Sequence, residues 1–315
     1  MKAVLYDRFG PPDVLHIRSI PLPMVHRGEV LVRIIAASVN PIDTLLRRGH
    51  FRWLGGRRFP KRTGVDFCGT VAELGAGVSG LRPHDAVYGM LDPMKGATCA
   101  EYAVVPVEQL ALKPETMPFL DAAALPLTAL TALQALSNIA HLQRDQHVLI
   151  HGASGGVGTA AVQIAKALGA RVTASCSAAA LELVTGLGAD VVFDYRQTPP
   201  TAVAGNYHCI FDIHGDLCID AVRHLLMPGG AFVTTVPSRR ILIDRFRTIV
   251  PLGTRARFVS VRPNARDLQL VADWVDGGLL RPVIANIYPL AGIADAHRQL
   301  ETQHTHGKLI ISVLA

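Results

Sequence analysis

The sequence is poor in charge and contains no closely spaced cysteines. Charged residues make up 18% of its 315 positions and apolar residues 50%, a balance that argues against disorder along most of the chain. The five cysteines are odd in number and form no C-x-x-C pair, which argues against a disulfide framework and against a thiolate zinc site. This cysteine usage fits a reducing compartment.

A long uninterrupted apolar run is also missing. Asp7 and Arg8 break the short run near the N-terminus, unlike the apolar region of a secretory signal. The apolar stretch 122–142 contains Pro126 and several polar residues, and no second stretch of this kind follows. It therefore predicts a buried helix rather than a membrane span. The expected location is the cytoplasm, with no membrane partner.

The chain does have length and a small excess of positive charge. Its 315 residues exceed the size at which one core stops growing, roughly 250 to 300 residues, so two domains are expected. The formal net charge is +6 and the pI about 9.2. Such a charge favours association with anions such as phosphates without identifying one.

Two patterns of secondary structure divide the chain. The first 120 residues contain strands such as 2–6 and 29–36 between turn signals, which predicts a small β-rich domain. The centre alternates apolar strands with helices, as in a parallel sheet. A short apolar strand at 308–313 needs a sheet to join, and the N-terminal domain is its expected host. The predicted fold class is α/β.

The strongest local signal is a glycine cluster between the first central strand and an apolar helix. Gly152, Gly155 and Gly158 are spaced as G-x-x-G-x-x-G, with Gly156 in addition. Glycines at such a turn let backbone N–H groups approach a pyrophosphate, which the positive end of the helix also favours. We predict dinucleotide binding by Gly155, Gly156 and Val157. A turn used only for packing is the alternative.

The end of the second central strand bears on the choice of cofactor. An acidic residue there would bind the ribose 2′-hydroxyl of NADH, but strand 171–175 runs into Ser175, Cys176 and Ser177. A neutral end with hydroxyl groups accepts a 2′-phosphate without charge repulsion. We therefore predict NADPH, bound by Ser175 and Ser177, with NADH as the alternative. The two hydroxyls could instead cap the following helix.

Six motifs follow one another along the chain. They are N-P-I-D at 40–43, G-V-D-F-C-G at 64–69, A-A-L-P-L-T-A-L-T-A at 123–132, G-A-S-G-G-V-G at 152–158, G-A-D at 188–190 with D-Y-R at 194–196, and H-G-K at 306–308. Together they resemble the medium-chain dehydrogenase/reductase superfamily, in its zinc-independent quinone oxidoreductase-like branch.

This resemblance covers essentially the whole chain and implies its architecture. A GroES-like β-rich substrate domain would comprise residues 1–122 and 265–315. A Rossmann cofactor domain, with a doubly wound parallel sheet, would comprise residues 123–264. The resemblance also implies a cleft for the nicotinamide and an oligomer, which we expect to be a homodimer with 231–235 as an edge strand.

The sequence departs from the zinc-dependent relatives where they hold their metal. Those relatives carry Cys and Gly-His-Glu where this chain has Asn40 and G-V-D at 64–66, so no metal ligand and no zinc are expected. The tyrosine that often lines the substrate site or donates a proton is matched by Leu45 or Phe51. The lysine that binds the 2′-phosphate is matched by Ala179.

The resemblance and the strand ends identify the remaining site residues. Asn40 is predicted to touch substrate or nicotinamide through its amide, with helix capping as the alternative. Thr131 matches a family threonine near the nicotinamide, and Tyr195 a family tyrosine near the adenosine phosphate. His214 and Val236 follow the fourth and fifth central strands, at the edge where ligands bind in such sheets, so both are predicted to border the cofactor. A solvent-exposed loop imidazole is the alternative for His214.

Segment 44–62 is strongly basic. It contains seven Lys and Arg and no Asp or Glu, so its charge exceeds the +6 of the whole chain. Three interpretations compete: a solvated loop, a rim that attracts anionic substrates such as acyl thioesters, and a polyanion-binding surface.

The main functional hypothesis is a zinc-free oxidoreductase that transfers hydride from NADPH to quinones or α,β-unsaturated carbonyl compounds, which are small electrophilic substrates. An enoyl-thioester reductase is the alternative that the basic segment favours. A non-catalytic NADPH-binding protein, structural or RNA-associated, is the alternative from another class, although nucleic acid is not the expected partner.

Overall fold

The computed structural model describes residues 1–53, 58–237, 241, 243–244, 253–302 and 305–314. The chain divides into two compact units. Unit 1 comprises Met1–Leu127, Arg262–Gly278 and Pro282–Ala315, and unit 2 comprises Thr128–Val261 and Leu279–Arg281. The predicted domain boundaries, after 122 and after 264, lie a few residues from these limits.

The regular elements of the described chain are numbered in chain order. The strands are β1 (Lys2–Tyr6), β2 (His16–Ser19), β3 (Glu29–Val39), β4 (Lys61–Arg62), β5 (Asp66–Leu74), β6 (Ala86–Met90), β7 (Tyr102–Pro106), β8 (Leu110–Leu112), β9 (His147–His151), β10 (Arg171–Cys176), β11 (Val191–Asp194), β12 (Tyr207–Asp212), β13 (Leu226–Thr234), β14 (Arg255–Phe258), β15 (Ile284–Pro289) and β16 (Lys308–Ser312). The helices are α1 (Pro41–Arg47), α2 (Phe119–Ala122), α3 (Pro126–Leu133), α4 (Gly156–Ala167), α5 (Leu181–Gly186), α6 (Ile219–Val222), α7 (Ala265–Asp276) and α8 (Ile293–Glu301).

Unit 2 is built on a sheet with strand order β11-β10-β9-β12-β13-β14, in which all neighbouring strands run parallel. The apolar runs of these strands explain the arrangement, because a parallel sheet is covered on both faces. Val148, Leu149 and Ile150 in β9 are fully buried, and α4 packs against β9 and β10. This strand order is that of a doubly wound dinucleotide-binding sheet, and it confirms the predicted Rossmann fold.

The expected edge strand 231–235 does not lie at an edge, so that prediction was wrong. It belongs to β13, which pairs with β12 on one side and with β14 on the other. The sequence of β14 alternates Arg255, Ala256, Arg257 and Phe258 and lacks the apolar run by which the other central strands were recognised. A strand that is solvated along one side tolerates such charges, which explains why β14 was not predicted.

Unit 1 contains the β-rich part of the chain. Its larger sheet has the order β15-β16-β3-β5-β6-β8, with β7 also paired to β3, and its smaller sheet has the order β2-β1-β4. Strand β16 runs antiparallel to β3, with Ile310 opposite Ser38, which confirms the predicted host of the last strand. Alternate side chains such as Val30 and Val32 of β3 enter one apolar core with Phe67 of β5.

The basic segment 44–62 is not one solvated loop. Its first residues belong to α1 and its last two form β4. The side chain of Arg47 is fully buried and bonds to Glu301 and to the carbonyl oxygen of Gly10. Burial lowers the pKa of the Arg47 guanidinium, and Glu301 opposes that effect. Arg57 lies outside the described residues.

The apolar stretch 122–142 forms α3 followed by a π-helix at Gln134–Ile139 rather than one long helix. Leu130 and Leu136 are fully buried, as predicted for this stretch. In the part of the chain that the structure describes, every helix is too short or too polar to cross a bilayer.

Candidate functional site

The glycine cluster lies at the carboxyl end of β9, beside that of β12, where the strand order of the sheet reverses. Ligands bind at such a reversal in open α/β sheets. Gly155 precedes the first turn of α4, and no side chain caps that turn. Gly156 and Val157 therefore present free backbone N–H groups at the positive end of a helix, an arrangement that attracts phosphate.

Two glycines are required by the backbone of this turn. Gly152 has a φ of +85°, in the left-handed region that favours glycine. A Cβ on Gly158 would lie 2.2 Å from the carbonyl oxygen of Gly152 and 2.6 Å from Ala153. A Cβ on Gly155 would have its nearest neighbour 3.8 Å away. Gly152 and Gly158 thus shape the turn, whereas Gly155 keeps the end of α4 uncovered.

The two serines predicted to bind the 2′-phosphate have different surroundings. Ser175 is fully buried in β10, and its hydroxyl lies 2.6 Å from Nδ1 of His151. Ser177 is partly exposed just beyond β10, and its side chain does not cap the 3-10 turn Ala178–Ala180 that follows. The structure therefore leaves the Ser177 hydroxyl open to a ligand, and the helix-capping alternative is not realised there. Ser175 is not brought to the open strand end, because its hydroxyl is enclosed with His151.

Tyr195 and Arg196 lie beside this strand end. The backbone N–H of Tyr195 donates to the carbonyl oxygen of Cys176 at 3.2 Å, which places the turn after β11 next to Ser177. Tyr195 is 39% exposed, and the Arg196 guanidinium lies 5.7 Å from the centre of its ring. The ends of β10 and β11 therefore carry a hydroxyl, an aromatic ring and a cation on two neighbouring segments, a combination that suits a phosphate group.

His151, the last residue of β9, was not predicted, yet it connects several residues that were. Its Nε2 lies 2.9 Å from a carboxylate oxygen of Asp216. The rings of Tyr195 and His214 each lie 6.1 Å from its own ring, edge to face. The signal that could have identified it is its position directly before Gly152, at the carboxyl end of a central strand.

The loop after β12 holds His214 close to Val236. Asp212 fixes this loop, since its two carboxylate oxygens accept backbone N–H groups from Gly215 at 2.8 Å and Leu217 at 3.0 Å. Burial raises the pKa of Asp212, and the bond from Gly215 opposes that rise. A Cβ on Gly215 would lie 2.4 Å from a methyl group of Val236, so the two segments pack closely. The exposed His214 matches the alternative of a loop imidazole.

The donor atoms of His151, Asp212 and Asp216 lie within 4.8 Å of one another, close enough for a cation. The ring nitrogens of His151 already bond to Ser175 and Asp216, and the oxygens of Asp212 bond to the backbone. Through these contacts the three side chains connect β9 to the loop after β12 and stabilise that loop.

Two predicted residues are not part of this edge of unit 2. Thr131 is buried in α3 and makes no hydrogen bond or ring contact with the other predicted residues in the described parts of the chain. Asn40 belongs to unit 1.

Asn40 is part of a buried polar cluster, which consists of Ser38, Asn40, Asp43, Asp66 and Lys308, none more than 6% exposed. Nζ of Lys308 donates to Oδ1 of Asn40 at 2.6 Å and lies 3.4 Å from Oδ2 of Asp66. Nδ2 of Asn40 and the hydroxyl of Ser38 donate to the same Asp66 oxygen at 2.9 and 2.5 Å. The Asn40 amide is thus held at both ends by the chain, and its contact with substrate or nicotinamide stays a prediction.

Asp43 connects this cluster to the start of α1. Its carboxylate accepts backbone N–H groups from Asn40 at 2.9 Å and from Gly64 at 3.1 Å. The bond from Asn40 caps the start of α1, which is the alternative role considered for this motif. Burial raises the pKa of Asp43 to about 6, and the bond from Asn40 opposes the rise. Burial also lowers the pKa of Lys308, while Asp66 and Asp43 favour its charged form. The cluster therefore holds two carboxylates and one ammonium group away from water, linked by hydrogen bonds.

Comparison with known proteins matches both units. The family model described as "Alcohol dehydrogenase GroES-like domain" matches residues 26–115, and "Zinc-binding dehydrogenase" matches residues 187–311. The chain is 34% identical to "NAD(P)H oxidoreductase RTN4IP1, mitochondrial" from Mus musculus, over 100% of this chain and 89% of that protein. It is 32% identical to "NADPH-dependent alkenal/one oxidoreductase, chloroplastic" from Arabidopsis thaliana, over 99% of this chain and 79% of that protein.

Among solved structures, the quinone oxidoreductase from Coxiella burnetii superposes with a TM-score of 0.90 at 33% identity, over 99% of both chains. Identity at this level along the full length of both chains shows common descent as well as a common fold. The chain therefore belongs to the medium-chain dehydrogenase/reductase superfamily as a quinone oxidoreductase-like enzyme, which confirms the resemblance carried by its motifs.

Proposed function

We propose that the protein reduces quinones or α,β-unsaturated carbonyl compounds with NADPH. The proposal is carried by the uncapped start of α4 at the carboxyl edge of the parallel sheet, where the amides of Gly156 and Val157 suit a pyrophosphate. Relatives over the full length of the chain are named as an NAD(P)H oxidoreductase and as an NADPH-dependent alkenal/one oxidoreductase, which supports this choice of acceptors. The bound nicotinamide would supply the hydride.

The preference for NADPH over NADH is supported by the end of β10. No carboxylate follows that strand directly in the chain, and the Ser177 hydroxyl makes no capping bond. The neighbouring segment after β11 carries the cation of Arg196. A 2′-phosphate would be attracted by the guanidinium. Tyr195 would pack beside the adenosine, as its exposed ring permits.

The remaining residues of the edge would position the cofactor. Asp212 holds the loop that carries His214, and the 39% exposed side chain of Val236 offers an apolar surface for the nicotinamide ring. A rigid edge of this kind lowers the entropy cost of bringing the nicotinamide, which donates the hydride, and the substrate, which accepts it, into the reactive arrangement. The proton that completes the reduction would come from solvent or a small polar group.

We further propose that no zinc takes part. Where zinc-dependent relatives hold the metal, the ammonium group of Lys308 lies between the Asn40 oxygen and Asp66. Zinc in proteins is bound by thiolate, imidazole and carboxylate groups, whereas this cluster offers one amide and carboxylates that are already bonded. A second cation beside Lys308 would also be repelled. These residues do not fit a catalytic zinc.

A panel assay tests this function. Purified protein is mixed with NADPH or NADH and with a quinone, an enal and an enone, and loss of the reduced cofactor is followed by absorbance. We expect turnover that is faster with NADPH and unchanged after dialysis against a chelator. No turnover with any acceptor, or stoichiometric zinc by elemental analysis, would contradict the proposal.

The oligomeric state and the compartment are also proposals. Within the described chain, β14 has a strand neighbour on one side only, and we propose that its outer edge forms the contact of a homodimer. Light scattering after gel filtration tests it, and a mass that matches a single chain would contradict it. All five cysteines are free, which agrees with a reducing compartment such as the cytoplasm.

A further inference from the structure

A pocket in unit 1 has no role in the function proposed so far. Its volume is about 170 Å³, enough for a carboxylate or phosphate group. Its wall is formed by side chains of β1, of β4, of residues 51–52 after α1 and of residues 93–96. Asp43 of the buried polar cluster also lines it, so the pocket and the cluster adjoin.

Positive charge dominates the wall of this pocket. Arg52, Lys61, Arg62 and Lys95 line it, and Asp43 is its one carboxylate. Arg62 is exposed in β4, and no carboxylate in the described parts of the chain pairs with its guanidinium. A guanidinium of this kind attracts a carboxylate or a phosphate, to which it can donate two parallel hydrogen bonds.

Tyr6 provides an independent indication of a ligand. It lines the pocket, is only 3% exposed, and its hydroxyl bonds to no residue that the structure describes. Burial and, to a smaller extent, Asp43 raise the pKa of Tyr6 to about 12, so the phenol keeps its proton and can donate it in a hydrogen bond. The ring of Tyr6 is buried while its hydroxyl stays accessible to the pocket, so the hydroxyl proton is available to an acceptor atom of a ligand.

Asp43 does not neutralise the pocket. Its carboxylate is 3% exposed and accepts backbone N–H groups from Asn40 and Gly64. Lys308 in the cluster favours its charged form, but Asp66 opposes that form more strongly. Even when Asp43 is ionised, the four cations of the wall exceed its single negative charge.

We infer that this pocket binds a carboxylate or phosphate group of the acceptor that the enzyme reduces, with Tyr6 and Arg62 as hydrogen-bond donors. This inference rests on the proposed function and specifies its substrate class: a conjugated carbonyl compound that carries an oxyanion away from its reactive carbon. It also gives the basic segment 44–62 a specific role. Two of its side chains, Arg52 and Arg62, would contact the anion directly, instead of the whole segment attracting anions through its net positive charge.

A pair of matched acceptors tests the inference. 6-Oxohept-4-enoate and its methyl ester share the same enone, but only the acid carries a negative charge, which lies two methylene groups from the reactive carbon. Because their reactivities differ, each variant is judged by the ratio of the ester KM to the acid KM relative to wild type. In Arg62→Gln this ratio should fall about tenfold, as expected for the loss of one charge-assisted hydrogen bond at a partly exposed site. Tyr6→Phe, which removes only the hydroxyl, should lower it roughly fivefold.

The matched control is Arg58→Gln. Arg58 is exposed in the same basic segment and does not line the pocket, so this variant loses the same charge at a different place. Its ratio should stay near that of wild type, and Arg62→Lys should restore part of the preference. Equal losses in Arg58→Gln and Arg62→Gln would overturn the inference, because they would indicate a general field of the segment.

A second pair of acceptors identifies the anion. Crotonyl-pantetheine 4′-phosphate and crotonyl-pantetheine differ only in the phosphate, so a preference in this pair assigns phosphate and a preference for the free acid assigns carboxylate. Wild-type protein that distinguishes neither pair would overturn the inference. Calorimetric titration of each compound separates this outcome from failure of the proposed function: anion-selective binding without turnover leaves the pocket assignment standing, whereas turnover of the neutral compounds without anion selectivity leaves only the proposed function.

Discussion

The carboxyl edge of the parallel sheet in unit 2, where the start of α4 and the end of β10 lie, forms the proposed cofactor edge. This edge and the buried polar cluster of unit 1 use polar groups in opposite ways. At the edge, the first-turn amides of α4 are uncapped and the Ser177 hydroxyl makes no capping bond. In the cluster, Lys308, Asp66 and Asn40 bond to one another, and each is at most 6% exposed. The edge is open to a ligand, whereas the cluster is complete by itself.

This difference separates binding from positioning. A polar group left without a partner in a folded chain costs free energy, so an uncapped helix end at a strand reversal indicates a ligand that repays the cost. A fully bonded buried network instead fixes side chains in one arrangement, and removing one member leaves the others buried without partners. The pocket beside Tyr6 and Arg62 belongs to the first kind, although it adjoins the second.

The most severe test of this contrast is Lys308→Met. It leaves the carboxylates of Asp66 and Asp43 buried without their cation, and we expect it to lower the free energy of unfolding by about 3–5 kcal/mol. Urea denaturation monitored by circular dichroism measures the change. Lys166→Met is the control, because its ion pair with Asp190 is 35% and 45% exposed and should contribute at most about 1 kcal/mol. Similar losses in both variants would mean that the cluster is not a linked network.

Asp43 should make the stability of the protein depend on pH. Burial raises its pKa from 3.8 to about 6, so the folded chain binds this proton more tightly than the unfolded chain. The resulting stabilisation is fully present below pH 3.8 and is lost as the pH rises through about 6, an effect of about 3 kcal/mol.

The free energies of unfolding of wild type and Asp43→Asn at the two ends of this pH range measure the effect. Wild type should lose more stability than the variant on going from the acidic to the neutral end. His297, whose pKa burial lowers to about 3, acts in the opposite direction but is present in both proteins, so its contribution cancels. Parallel pH profiles would show that Asp43 carries no such shift.

At the cofactor edge, Gly158→Ala and Gly155→Ala separate shape from binding. Gly158→Ala places a methyl group 2.2 Å from the Gly152 carbonyl oxygen and should cost about 2 kcal/mol of stability. In Gly155→Ala the new methyl group meets nothing closer than 3.8 Å, so the variant should lose less than about 1 kcal/mol of stability. It should nevertheless bind NADPH more weakly, because the methyl group stands at the end of α4 where the pyrophosphate would bind. Thermal unfolding with and without NADPH reports both. If Gly155→Ala bound NADPH like wild type, the open amides would not be the pyrophosphate site.

Ser177→Asp should change the free energy of unfolding least of these variants, and its effect on cofactor choice should be the most specific. A carboxylate at the end of β10 would repel a 2′-phosphate and accept a ribose hydroxyl, so the preference for NADPH over NADH should fall roughly thirtyfold. Fluorescence titration with both cofactors measures it. Ser175→Ala should leave the preference unchanged, because that hydroxyl bonds to His151. The reverse pattern would show that Ser175 is the residue at the phosphate.

The parallel sheet and the phosphate turn could be predicted because their signals are local. An apolar strand, a glycine-rich turn and an apolar helix are adjacent between residues 147 and 167, and each determines its own backbone geometry. The edge position of β14 could not be predicted in this way, because the place of a strand in a sheet depends on which strands pair with it.

Other features could not be predicted because they join distant parts of the chain. Lys308 meets Asp66 across 242 residues, and Arg47, in a segment that reads as a solvated loop, meets Glu301 across 254 residues. Ser175 and Ser177 look alike in the sequence, and only the contact with His151 shows that one is enclosed and the other open.

The order of apolar runs and the glycine spacing by themselves determined the two-part fold and the place of the phosphate turn. The sequence also shows directly that no acidic residue immediately follows β10. Tertiary structure decided which polar groups are bonded and which stay open, and therefore which residues can hold a ligand. The physical reason is that backbone conformation follows mainly from neighbours along the chain, whereas the burial and pairing of a charge or hydroxyl depend on every element that packs around it.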